Sequence, residues 1–159
     1  MARWLTENGY LSFGKERPDS LEDMVPSSKA FVLDPGRIFV NRKGRFPKGS
    51  VDDAGARAVV AEIKAGLSGL RWEGRPVVER VFERDEIYSG PETPNAPDLV
   101  VVGHHGFDMK GTIRESDLFG RTSLTGCHTW DDAFFWSLGA APQDLDITML
   151  ARIIESSLD

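Results

Sequence analysis

Apolar residues recur at helical spacing through Ala56, Val59, Val60, Ile63 and Leu67, which predicts an amphipathic helix from about Asp52 to Leu67. Ser50 and Asp53 ahead of it resemble a capping box with Asp in place of the usual Glu. Ala30-Phe31-Val32-Leu33 and Arg37-Ile38-Phe39-Val40 are rich in β-formers, and Pro35-Gly36 between them suits a type II turn, so the pair predicts a hairpin. Val77 to Phe82 predicts another strand, and Arg84 to Tyr88 a turn of helix or an irregular link. Asp98-Leu99-Val100-Val101-Val102-Gly103 is a continuous apolar run, the pattern of a strand covered on both faces, and Ala133 to Leu138 is a second such run. Ile147, Leu150, Ala151, Ile154 and Leu158 share a face of a last helix, with Asp146 as its N-cap. Residues 2–8 suit a short helix ended by Gly9, residues 14–29 a polar loop broken by Pro18 and Pro26, and Asn41 to Gly49 a basic, Gly/Pro-punctuated loop.

Strands mixed with helices predict an α/β layered architecture. At 159 residues, 40% hydrophobic and 28% charged, the chain suits one globular domain over 1–159 with a real core. The net charge of −6 argues against a nonspecific nucleic-acid binder. No apolar run approaches the roughly 18 residues of a membrane span, and the first ten residues lack the apolar core of a signal peptide. A single cysteine, Cys127, excludes an internal disulfide and any multi-cysteine zinc knuckle. A reduced, cytoplasmic setting is the simplest expectation.

Candidate chemistry gathers at few positions. His128 lies in the polar turn Thr125-Gly126-Cys127-His128-Thr129, ahead of an apolar run, where an imidazole is presented as a metal ligand or proton carrier. On local chemistry alone, a loop histidine bonded to its neighbours is the better fit, since one histidine does not make a site. Asp131 and Asp132 suit either partners that orient that imidazole or turn residues. His104 and His105 follow an apolar strand at the end where α/β folds place ligands, yet adjacent side chains on an extended chain diverge. Asn41, Arg42, Lys43 and Arg45 form a basic cluster able to meet a phosphate or simply to face water. Cys127 has an imidazole beside it, but no further histidine and asparagine complete a catalytic thiol site, so no catalytic residue is assigned.

Five segments in order carry a resemblance. They are Trp4-Leu5-x-x-x-Gly9-Tyr10-Leu11, Arg37 to Gly49, Arg84-Asp85-Glu86-Ile87-Tyr88-Ser89-Gly90-Pro91, Ala96-Pro97-Asp98-Leu99-Val100-Val101, and Thr125-Gly126-Cys127-His128-Thr129. Together they resemble the C-terminal part of the type I phosphodiesterase/nucleotide pyrophosphatase group of the alkaline phosphatase superfamily. The resemblance implies a partial alkaline-phosphatase-like layered fold with a mixed sheet, a β-hairpin and flanking helices.

It also implies two divalent metal ions, zinc or manganese, acting on a phosphoester in the complete enzyme. In that family an Asp-His-Gly motif and a Thr or Ser nucleophile precede the Trp-Leu segment, and the last ligand is the histidine of Gly-x-His. Only that last element has a match here, as Gly126-Cys127-His128, so His128 is the one metal residue the resemblance implies. Asn41 and Arg45 match a recurrent loop motif of the family, with no role implied. Ile147-Thr148-Met149-Leu150 departs from the Ala-Pro-Thr usual near that helix start. The expectation is a C-terminal portion of a larger phosphohydrolase that binds no metal tightly and is inactive alone, with no cofactor-binding residue of its own. Its partner would be a missing N-terminal half, or a second copy if the chain is a non-catalytic, self-associating module. A third reading, a small enzyme using His128 with His104 or His105, requires two strand ends to converge.

Overall fold

The computed structural model describes residues 1–121, 123, 126, 129, 133–138 and 144–156. They fall into two compact units, Met1–Cys127 and His128–Asp159. The first opens with helix α1 (Ala2–Glu7), followed by a loop with one 3₁₀ turn at Leu21–Asp23. Strands β1 (Ala30–Asp34) and β2 (Arg37–Val40) then pair as the expected hairpin. Gly36 of its turn has φ 72°, and an added Cβ would lie 2.6 Å from the Val101 carbonyl oxygen. Both the left-handed backbone and the close approach therefore demand glycine there.

Helix α2 (Asp53–Ser68) buries the stripe Ala56, Val59, Val60, Ile63 and Leu67, as the periodicity predicts. Its N-cap is Asp52, whose carboxylate accepts the Gly55 amide at 2.8 Å. Ser50, expected to cap it, instead donates its hydroxyl to the Ser28 carbonyl at 2.8 Å. Strands β3 (Arg71–Trp72) and β4 (Arg75–Pro76) form a small second hairpin, followed by β5 (Val78–Glu83), the short helix α3 (Arg84–Ile87) and β6 (Leu99–Gly103).

The main sheet has the order β1-β2-β6-β5, and each of its ladders is antiparallel, in contrast to the mixed sheet expected. The physical reason lies in the last strand. β2, α2 and β5 form a crossover whose two parallel strands are held apart, because β6 inserts between them antiparallel to both. Accordingly β6 is not sealed on both faces. Leu99 and Val101 are buried, while Val100 and Val102 on the opposite face are half-buried. The described residues thus form an α/β arrangement of one four-stranded antiparallel sheet, a small hairpin and helices.

In the second unit, Asp146 caps as expected, accepting the Thr148 amide at 2.8 Å ahead of a 3₁₀ turn (Ile147–Met149) and helix α4 (Leu150–Ser156). Leu158 lies outside the described residues. The strand expected over Ala133 to Leu138 does not form. Phe134, Trp136 and Leu138 are 94%, 74% and 96% exposed, and among the described residues no strand pairs with the segment. A continuous apolar run reports composition, whereas a strand requires a neighbour to satisfy its amides and carbonyls.

Candidate functional site

Among the described residues of the first unit, the carboxylate of Asp98 is buried, 3% exposed, at the entry to β6. Its backbone locks two elements together, the amide donating to the Ile38 carbonyl at 2.9 Å and the carbonyl accepting the Arg84 amide at 3.0 Å. One carboxylate oxygen, Oδ2, accepts the Val40 amide at 2.8 Å. The other, Oδ1, accepts Arg42 Nε at 3.1 Å and Nη2 at 2.7 Å. Arg45 Nη1 stands 3.5 Å from Oδ2, and Arg84 Nη1 stands 3.9 Å from Oδ1. A buried carboxylate is costly unless paired and bonded, and here three guanidiniums surround one. Two outer carboxylates continue the network, Asp53 at 3.4 Å from Arg42 and Asp85 at 3.0 Å from Arg84.

Arg45 is held by more than charge. Its Nη2 donates to the Ala96 carbonyl at 2.9 Å, and its guanidinium lies over the rings of Phe39 and Phe46 at 5.4 and 5.0 Å. Those two rings and Phe31 form one aromatic cluster. Burial pushes the Arg45 pKa down, Asp98 opposes that shift, and the nearby Arg84 and Arg42 charges add to it. An arginine starts so far above neutrality that it stays charged.

Asn41 is fully buried and organises the loop itself. Its Nδ2 donates to the carbonyls of Ser28 at 2.9 Å and Lys48 at 2.7 Å, while its backbone carbonyl accepts the amides of Ser50 and Val51. Of the basic cluster seen in the sequence, then, Asn41 fixes the loop, Arg42 and Arg45 turn to Asp98, and Lys43 is exposed.

Beside this node lies a cleft of about 720 Å³. Three arginines line it (Arg42, Arg57 and Arg84), against five carboxylates, Asp98 and Asp53 among them. With negative groups in excess, its lining does not favour a free phosphate. Neither His104 nor His105 lines this cleft. His104 Nδ1 sits 2.5 Å from Glu79 Oε2 just past β6, with both side chains more than a third exposed, and His105 is exposed. His128, Cys127, Asp131 and Asp132 lie outside the described residues. Among the described residues no group of three or more His, Cys, Asp or Glu side chains is placed to hold a metal ion.

The sequence reading missed Asp98 and Arg84 as partners. The one local signal was an acidic residue set directly before an apolar run, since a carboxylate carried toward a sheet interior needs cations from elsewhere. Among the described residues no helix is long and apolar enough to cross a membrane. No protein family, characterised protein or solved structure matches the chain.

Proposed function

We propose that the chain carries the C-terminal portion of a metal-dependent phosphoester hydrolase of the type I phosphodiesterase/nucleotide pyrophosphatase kind, with an alkaline-phosphatase-like layered fold in the complete enzyme. The observation that carries this reading is the composition of the Asp98 node. Three segments that bear the resemblance, Arg37 to Gly49, Arg84 to Pro91 and Ala96 to Val101, supply Arg42 and Arg45, Arg84, and Asp98 to one buried network. Motifs far apart in sequence thus share a structural task, which supports their belonging to one scaffold rather than matching by chance. In this reading the node is architectural, and His128 is the single ligand the chain offers to a metal centre completed by other residues. One imidazole cannot hold two metal ions, so the chain alone is inactive. The lone Cys127 supports a reduced, cytoplasmic setting.

The test is hydrolysis of bis(4-nitrophenyl) phosphate by the purified chain with added zinc or manganese. No turnover is expected, and robust metal-dependent turnover would remove this reading. A second reading, a self-associating module without catalysis, is favoured by the exposure of Phe134, Trp136 and Leu138. Sedimentation decides it. A dimer dissociated by Trp136→Ser supports self-association, and a strict monomer at high concentration excludes it.

A further inference from the structure

A second, smaller cleft of about 240 Å³ differs in chemistry from the one beside Asp98. The β3–β4 hairpin supplies Trp72 and Arg75, and the segment after β6 supplies Phe107, Phe119 and Arg121. Trp72 meets Phe107 edge to face at 5.9 Å and lies tilted against Phe119 at 6.1 Å. These three rings are half-buried against the core, so they form a fixed apolar wall. Arg121 stands 5.3 Å over the Trp72 ring and Arg75 stands 5.6 Å over Phe107, and both are exposed.

Among the described residues no carboxylate lines this cleft, although acidic side chains outnumber basic ones 25 to 19 in the chain. Among the described residues neither guanidinium has a hydrogen-bond or ion-pair partner, and each holds only its ring contact. Arginines stacked on rings keep their N–H edges free for an anion, because stacking uses the face and not the donors. The net negative field disfavours a bare anion, so a ligand also needs an apolar face to set against Trp72. The volume suits one ring with one acidic group, being below the usual range of about 300–1,000 Å³ for larger ligands.

We propose that this cleft binds a small planar anion, an aromatic ring bearing a carboxylate or phosphate, with the ring beside Trp72 and the acidic group between Arg75 and Arg121. The proposal is independent of the phosphohydrolase reading. It is tested by titrating the isotope-labelled full chain with phenyl phosphate, benzoate, benzyl alcohol and inorganic phosphate, following amide and indole NMR signals. Saturable shifts centred on Trp72, Phe107 and Arg121 are expected for phenyl phosphate or benzoate, the pair showing which acidic group is preferred. Benzyl alcohol and inorganic phosphate should each bind at least about tenfold more weakly, because each offers half of the chemistry. In the variant carrying Arg75→Gln and Arg121→Gln, the affinity for the ring anions should fall about tenfold or more. Absence of saturable shifts, shifts centred elsewhere, equal binding of benzyl alcohol, or an unchanged double variant would overturn it. The ligand series on the unaltered chain decides the matter even if the double variant fails to fold.

Discussion

Arg42 and Asp98 stand 56 positions apart, yet Arg42 Nε and Nη2 converge on the same Asp98 oxygen at 3.1 and 2.7 Å. That contact ties the loop after β2 to the strand that completes the sheet. Asp98→Ala removes the acceptor of the Val40 amide and leaves three guanidiniums facing one another. It should cost about 2–4 kcal/mol, somewhat less than a fully buried broken pair, because the arginines keep part of their solvent access. Arg42→Ala should cost less than Asp98→Ala, since Arg45 and Arg84 remain near the carboxylate. Urea unfolding of the two variants checks the order, and a neutral Asp98→Ala would mean that the node does not hold the fold together.

Asn41→Ala should loosen the basic loop without dismantling the sheet. Its Nδ2 serves the carbonyls of Ser28 and Lys48; Ser28 keeps the Ser50 hydroxyl, but the Lys48 carbonyl loses its Asn41 donor, a loss worth about 1–3 kcal/mol. Faster amide exchange at Lys43 to Gly49 is the expected sign, with the α2 amides unchanged.

Gly66 lies in the last turn of α2, where alanine normally favours the helix by up to about 1 kcal/mol. Here an added Cβ would sit 2.8 Å from Trp4 Cζ2 and 2.9 Å from Cη2. Gly66→Ala should therefore destabilise by about 1–3 kcal/mol, the usual cost of overpacking. Trp4→Leu in the same chain should recover part of that loss. A melting temperature raised by Gly66→Ala alone would contradict the tight α1–α2 packing.

Acid should release the cap of α3. The Glu86 carboxylate accepts the Glu83 amide and meets Lys64 at 3.2 Å. The amide hydrogen bond first, then Lys64, holds its pKa below the ordinary 4.5. A lowered carboxylate pKa gives stability that is present above the unfolded value and lost as pH falls through the folded one. The Glu83 amide should accordingly lose protection below about pH 4.5, and Glu86→Gln should abolish that pH dependence. An amide titration indifferent to Glu86→Gln would contradict it.

What the sequence disclosed and what it hid divide along the range of the interactions. The α2 stripe and the Pro35-Gly36 hairpin follow from residues a few positions apart, and the structure has both. The insertion of β6 between β2 and β5 is a long-range choice, and nothing in Leu99 to Gly103 announces its neighbours. The β3–β4 hairpin escaped notice because its turn is Glu73-Gly74, with Glu73 at φ 50°, rather than the usual Asn-Gly or Asp-Gly. Ala133 to Leu138 shows the opposite failure, an apolar run that is exposed. At the candidate site the basic loop was visible, but not its purpose. Asp98, which gives Arg42 and Arg45 their direction, lies more than fifty residues further along.

The central claim is that the chain contributes His128 and an Asp98-centred scaffold to a phosphohydrolase whose remaining ligands lie in other sequence. Nitrophenolate release from bis(4-nitrophenyl) phosphate, with zinc or manganese present, tests it most directly. The chain alone should give none. A protein in which it follows a segment bearing the Asp-His-Gly ligands and the nucleophile should give metal-dependent release, abolished by His128→Ala. Turnover by the chain alone, or full activity of the longer protein after His128→Ala, would contradict the account.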